Sequence, residues 1–313
     1  MTADIRWVVR EGEAGPLSVI VGRAGGDAAA VAEGRVFVGR RRALSEEEAV
    51  APGDEVTIAA HREGGDVTIL ANEDDVVAAD KPAGMPTIAD QSGASHTLVA
   101  AVARALGVPP ARVHATSRLD RAVSGVVLLA LSAAAAERLA QARKAGSYAR
   151  RYVAIASRAP SPPRGVWDAP IGRARDPRKR AALGREATFA VTRFATVSRV
   201  PAGALVSAGA LLALAPVTGR THQLRVHASH AGAPLLGDRD YGGPSRLTLP
   251  GGRVLPVSRI ALHAARVSVP RPDGSAFVVG SPVPADLRDL WGALGGGTEA
   301  WDCAIDAVLD EPG

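Results

Sequence analysis

Cysteine is nearly absent: among 313 residues only Cys303 carries a thiol. A single cysteine excludes an intramolecular disulfide and any cysteine-based zinc site. Long apolar runs are missing as well, and no stretch reaches the roughly 20 residues that a membrane-spanning helix needs. The first residues, MTADIRWVVREGEAG, lack the positive segment followed by an apolar stretch that marks a signal peptide. These absences lead to the expectation of a soluble, cytoplasmic chain. Lysine is scarce, 3 residues against 34 arginines. Such a bias follows from a genome's base composition as easily as from function, so it carries no weight here.

What is present is an ordinary globular composition, 47% hydrophobic and 22% charged. The length allows one large domain and a smaller one. The net charge of +5 hides an asymmetry. Residues 1–70 hold 8 Lys/Arg against 12 Asp/Glu, whereas residues 71–313 hold 29 against 20. Residues 141–200 alone carry 14 basic side chains, opposed by Asp168, Asp176 and Glu186. Clustered cations gain affinity for a polyanion by releasing its condensed counterions, so a nucleic-acid partner is expected. A solvated basic face would look the same on charge alone.

The first 70 residues alternate apolar and polar side chains in GRVFVGRRR and GDEVTIAA, the pattern of short strands. RAGGDAAAVAEG reads as a short helix between them, and a boundary is expected at Gly64 and Gly65. From Val76 onward strands are expected in VVAAD, GVVLLALS, RRYVAIAS, ATFAVTRF, ALLALAPV and RIALHAARVSV. Helices are expected in TLVAAVARALG and AAAAERLAQARKAG. Strands and helices mix without regular βαβ repetition, which predicts an α+β fold with a mixed, largely antiparallel sheet. The segments are 1–70 as a small N-terminal domain, 71–291 as the main domain and 292–313 as a tail. The tail opens on a glycine run and reads as an appendage.

The stretch SRLDRAVSGVVLLAL places Asp120 between Arg118 and Arg121, just before an apolar strand. An exposed ion pair would explain this arrangement and would contribute little. The alternative is a carboxylate kept ionised for chemistry. Four further stretches favour the second reading: VVAADKPAGMPT, RRYVAIA, VTGRTHQLRVHASHAGAPLLGDRDYGG and RIALHAARVSV. Together with the first, they resemble in content and order the motifs of the RluA family of pseudouridine synthases, over about residues 71–285. One such match is weak; the ordered set is specific.

The resemblance implies the pseudouridine synthase fold and the isomerisation of uridine in RNA. Ribosomal RNA is favoured over transfer RNA, and neither a cofactor nor a metal is implied. Asp120 would be the catalytic carboxylate, Arg220 its basic partner and Tyr152 the residue stacked on the target base. Leu262 would wall the uracil pocket, and Arg118 would fill the space left when the uridine flips out. Arg225 is a second candidate for the partner of Asp120. Arg121, Arg225 and Lys81 are further candidates for substrate binding. The chemistry suits these types: breaking a glycosidic bond and rejoining the base through carbon needs an ionised carboxylate, and a neighbouring arginine opposes the desolvation that would neutralise it. The chain departs from the family pattern at Ser117, where the family has histidine, and at Val123, where it has threonine.

Taken singly, Tyr152 and Leu262 read as core residues and Arg220 as a turn residue. A metal hydrolase would use His222, His227 and His230, but spacings of five and three do not put all of them on one face of a helix or strand. Those histidines are expected to support Arg220 and its backbone. A non-catalytic RNA-binding protein that kept the fold is the other alternative. The N-terminal segment resembles, in EGRVFVGRRR and APGDEV, the small α/β RNA-binding module that often precedes this catalytic domain. Its net acidity and its Val38-Gly39 in place of Val-Asn-Gly point to a degenerate version. A monomer is expected.

Overall fold

A computed structural model describes residues 5–26, 30–31, 36–39, 41–43, 45–58, 67–89, 96–201, 209–249 and 252–309. The chain divides into two compact units, residues 1–66 with 86–110, and residues 67–85 with 111–313. The first unit carries a four-stranded sheet in the order Ile5–Val8, Glu55–Ile58, Val36–Val38, Arg41–Arg42. Leu17, Ile20 and Val21 of the helix Leu17–Arg23 are buried in one core with Val36, Val56 and Ile58. Of the expected helix in RAGGDAAAVAEG half the residues are described, and among them only Arg23, the end of Leu17–Arg23, is α-helical; the boundary at Gly64 and Gly65 lies outside the described residues. TLVAAVARALG forms the helix Leu98–Leu106, opened by Thr97, whose hydroxyl accepts from the Ala100 N–H.

The second unit is built on a ten-stranded sheet. Its main path runs Arg164–Trp167, Thr192–Val200, Gly209–Pro216, Ala149–Ala156, Leu262–Pro270, Ser124–Ala130, Val76–Lys81 and Thr68–Glu73. Ala276–Gly280 also pairs with Leu262–Pro270, and His114–Ala115 with Ser124–Ala130. Among the described pairings one alone is parallel, Ser124–Ala130 beside Leu262–Pro270, and it spans only Ser124↔His263 and Gly125↔Ala264. The fold is therefore α+β with a mixed, largely antiparallel sheet, as the residue pattern predicted.

Side-chain alternation gives this sheet two buried faces. Tyr152, Ala154, Leu212, Leu214, Leu262, Val126 and Leu128 lie in one core, while Val153, Ile155, Leu211, Ala213 and Ala265 lie in another. Tyr152 and Leu262 thus share a face by parity, and that face carries the site. The second core corrects the view of the tail as an appendage. Ala300, Trp301 and Ala304 of the helix Ala300–Asp306 are buried there with Trp291, whose ring centroid is 6.4 Å from that of Trp301. The glycine run is a turn tucked against an indole. The Gly297 carbonyl accepts from Trp291 Nε1 at 3.1 Å, and a Cβ on Gly296 would come within 2.1 Å of that ring.

Candidate active site

The strand Ser124–Ala130 is entered through a turn in which the Val123 N–H donates to the Asp120 carbonyl at 3.0 Å. Two features of the following Ser-Gly fix that turn. Gly125 has φ 119°, and a Cβ there would lie 2.2 Å from the Ala264 carbonyl oxygen, so only glycine allows the short parallel contact. Ser124 Oγ accepts from Arg259 Nη1 at 3.1 Å and lies 2.9 Å from Nδ1 of His263. Nε2 of that ring lies 3.1 Å from the Ser281 carbonyl. The hydroxyl proton therefore goes to Nδ1, and Nε2–H donates to the carbonyl. Burial pushes His263 down to about 4, so it stays neutral. The serine of one motif and the histidine of another are thus a single buried joint, four residues beyond Asp120 in the chain.

Asp120 accepts from Nη1 of Arg225 at 2.9 Å. Arg225 lies in the helix Gln223–His230 with its side chain 6% exposed. Its Nε and Nη2 donate to the two oxygens of Asp238, both at 2.8 Å, and Nη2 also reaches Asp240 at 3.1 Å. Asp238 is itself 1% exposed, which makes this a buried bidentate pair. Burial opposes the charge of Arg225, but Asp238 and then Asp120 outweigh it and push the guanidinium further up. The guanidinium also stacks 4.8 Å from the centroid of the Tyr241 ring.

This corrects the assignment of Arg220. Its Nε donates to the Phe189 carbonyl at 2.9 Å, and its side chain lines the cleft beside Asp120 without pairing with it. The reason lies in the loop. Gln223 is buried; its Oε1 accepts from the Arg220 N–H at 2.9 Å and from Thr218 Oγ1 at 2.7 Å. Its Nε2 donates to the Val191 carbonyl and to Thr192 Oγ1. Gln223 thus fixes residues 218–220 as a loop at the cleft wall, and the helix that follows carries Arg225 inward.

The histidines do not support Arg220. His227 Nδ1 lies 2.9 Å from Thr192 Oγ1, and its Nε2 donates to the Ala169 carbonyl at 2.9 Å. His222 has φ 58°, a backbone conformation costly for a side-chain-bearing residue. Its Nδ1 lies 2.8 Å from the Tyr241 hydroxyl, which also accepts from the Arg180 N–H at 2.9 Å. The hydroxyl therefore donates to Nδ1, and Nε2–H faces Asp120 at 3.9 Å. Burial, opposed by Asp120, lowers His222 and keeps it neutral near pH 7. The bonded nitrogens of His222 and His227 serve different partners, and among the described residues no group of His, Cys, Asp and Glu side chains is arranged to hold a metal.

Asp120, Arg225, Tyr152, Leu262, Arg118, Arg220, Arg150 and His222 together line one cleft. Tyr152 is buried at its wall, and that burial pushes the phenol up and keeps it protonated. Two expected substrate contacts fall elsewhere. Lys81 is fully buried, and its ammonium donates to the carbonyls of Pro82 at 3.0 Å, Met85 at 2.7 Å and Arg121 at 3.4 Å. Arg121 donates through Nε to the Gly84 carbonyl at 2.9 Å, and its own carbonyl accepts from the Gly84 N–H at 2.7 Å. Lys81 and Arg121 thus clamp the Lys-Pro-Ala-Gly loop to the Asp120 turn. Asp238, Asp240, Tyr241 and His222 are site residues that sequence reasoning did not assign; the LLGDRDYGG run next to the GRTHQLR block was the available signal.

A sequence profile of the RNA pseudouridylate synthase family matches residues 75–230. An uncharacterized RNA pseudouridine synthase of Mycobacterium bovis is 35% identical over 228 residues, covering 71% of each chain. The chain belongs to the RNA pseudouridine synthases. The family inferred from the ordered motifs is the family found. The synthase is similar as well to the ribosomal large subunit pseudouridine synthase D of Xanthomonas campestris, 33% identical over 73% of this chain and 69% of that one. Among solved structures, human RNA pseudouridylate synthase domain containing 4 superposes with a TM-score of 0.57 at 26% identity, over 72% of this synthase and 92% of that chain. The activity is thus an isomerisation, and the substrate is RNA.

Proposed function

We propose that this synthase isomerises uridine in ribosomal RNA with Asp120 as its catalytic carboxylate, Arg225 as the cation that holds it, and Tyr152 as the residue against the base. The observation that carries this is the 2.9 Å pair between Asp120 and Arg225 at the cleft, facing Tyr152 and Leu262. The reaction breaks the bond from uracil N1 to the sugar and makes one from C5 to the same carbon. A proton leaves C5 and another arrives at N1, so no oxidant or group donor enters. Asp120, ionised beside Arg225, supplies the anion that attacks or takes a proton. The protonated Tyr152 supplies a flat apolar face and a hydroxyl that can pass a proton. Leu262 excludes water from the same pocket, and Arg118 fills the stack the uridine leaves.

Ribosomal RNA is supported by the Xanthomonas campestris relative, whose name assigns it to the large ribosomal subunit. A cytoplasmic monomer completes the proposal. The decisive variant is Asp120→Asn, which keeps size and hydrogen bonding but removes the anion. Tritium release from RNA labelled at uracil C5 should fall by several orders of magnitude, while melting and RNA binding persist. A folded, RNA-binding Asp120→Asn protein with near-normal release would sink the assignment. Pseudouridine maps of ribosomal RNA from cells with and without the gene test the substrate.

A further inference from the structure

Residues 189–191 are hydrogen-bonded to the loop 217–220, which forms one wall of the cleft. The Phe189 carbonyl accepts from Arg220 Nε at 2.9 Å, and the Val191 N–H donates to Thr218 Oγ1 at 2.9 Å. The Val217 N–H donates to the Val191 carbonyl at 2.9 Å. Pro216, Thr218, Gly219 and Arg220 line the cleft itself, so Phe189 and Val217 stand at its rim. Both face solvent: Phe189 is 65% exposed and Val217 49%. A single exposed apolar side chain is ordinary. The setting here is not, because Arg118, Arg150 and Arg220 line the adjoining cleft and residues 141–200 carry 14 basic side chains against 3 acidic ones. Phe194 and Phe277, by contrast, are buried.

An exposed ring among arginines matches what an unpaired base requires, a π-face to stack on and cations for the neighbouring phosphates. The reaction creates that requirement. When a uridine is extruded to reach Asp120, the base beside it loses a stacking face. We propose that Phe189, whose carbonyl holds Arg220, is the platform on which a base adjacent to the target uridine stacks. The placement of the target rests on the Asp120 reading above; the platform itself is read from the rim. The surface therefore favours RNA in which the target lies in a loop or single strand over a continuous duplex.

The test compares wild type, Phe189→Ala and Phe189→Trp. Binding is titrated with a labelled oligouridylate and with a labelled RNA duplex, across a salt series. Base–aromatic stacking predicts that Phe189→Ala weakens oligouridylate binding about tenfold or more. Phe189→Trp should restore it, and the salt dependence should stay parallel because no charge changes. Duplex binding and the melting temperature should not move. Equal oligouridylate affinity in wild type and Phe189→Ala overturns the platform, as does a loss that tryptophan fails to rescue or that flattens the salt slope. Tritium release from cellular RNA labelled at uracil C5 keeps the two proposals apart. Normal release by wild type with unaltered binding by Phe189→Ala removes the platform alone; an inactive wild type removes the catalytic reading instead.

Discussion

Arg225 holds two roles that a pair of variants should separate. Its guanidinium bridges Asp238, 1% exposed, and Asp120, 28% exposed. Arg225→Met keeps much of the side-chain length but leaves Asp238 buried without a counterion. Breaking a buried pair in this way costs roughly 3–5 kcal/mol. For a unit of about 200 residues, each kcal/mol moves the melting temperature by roughly 2–4 °C, so a fall of about 6–20 °C is expected. Adding Asp238→Leu removes the stranded carboxylate, and replacing both partners by apolar groups is commonly neutral or stabilising. Asp240 is half exposed and Asp120 partly so; water can solvate both. The double variant should therefore recover most of the melting temperature. Turnover should not recover, because Asp120 has lost its cation in both proteins; a loss of about a hundredfold or more is expected by analogy with removing one charge-stabilising donor. Calorimetry and tritium release read the two quantities independently. A single variant that melts with wild type would refute the buried-pair argument. A double variant with restored turnover would refute the role of Arg225 at Asp120.

Lys81 gives a pH test. Burial lowers its ammonium to about 7, below the roughly 10.4 of an unfolded lysine. Between those values the unfolded chain binds more protons, so this group adds stability as pH rises from about 7 toward 10 and loses that gain as pH falls back through 7. Urea unfolding of wild type and Lys81→Met should diverge in favour of wild type across that window; a pH-independent difference would mean the ammonium stays charged against its carbonyls. Neutralising Arg178, Lys179 and Arg180 together should flatten the salt dependence of RNA binding, and an unchanged slope would place them away from the RNA. Lys179 is 3.2 Å from Asp240, so its loss should leave Asp240 to Arg225 without unfolding the site. Trp301→Ala should cost roughly 3–5 kcal/mol if the last helix is part of the core, and a melting curve like wild type's would return it to the status of an appendage.

The strands of the main sheet were legible because apolar runs such as GVVLLAL and ALLALAP are short, rich in large apolar side chains and bounded by polar or turn residues, as strands in the interior of a two-faced sheet are. One expected strand, ATFAVTRF, is broken: Arg185–Thr188 and Thr192–Val200 pair in different sheets. The break falls where Val191 and Thr192 bond to Gln223, a contact between residues more than thirty apart in the chain. Alternation in a short window carries no trace of it. The choice between Arg220 and Arg225 was hidden for a related reason. Both stand in one motif, and what separates them is the start of a helix at Gln223 together with the distant carboxylate of Asp238.

Two misreadings share a cause, in that residue type was taken for environment. A lysine beside Pro-Ala-Gly suggests a substrate contact because lysines are almost always exposed. Lys81 instead supplies the donors that the carbonyls of a buried turn need, and it joins that turn to the residue after Asp120. A glycine run suggests a linker because glycine is permissive. Residues 295–297 use that permissiveness to lay backbone against Trp291, where any side chain at Gly296 would strike the ring. In both cases local chemistry was answering a neighbour brought in by the fold. The SRLDRAVSG motif escaped this ambiguity because its residues constrain one another: Gly125 is required by the Ala264 backbone, Ser124 by His263, and Asp120 by Arg225. Each of those partners lies in another of the motifs, so the ordered set carried information that no single stretch contained.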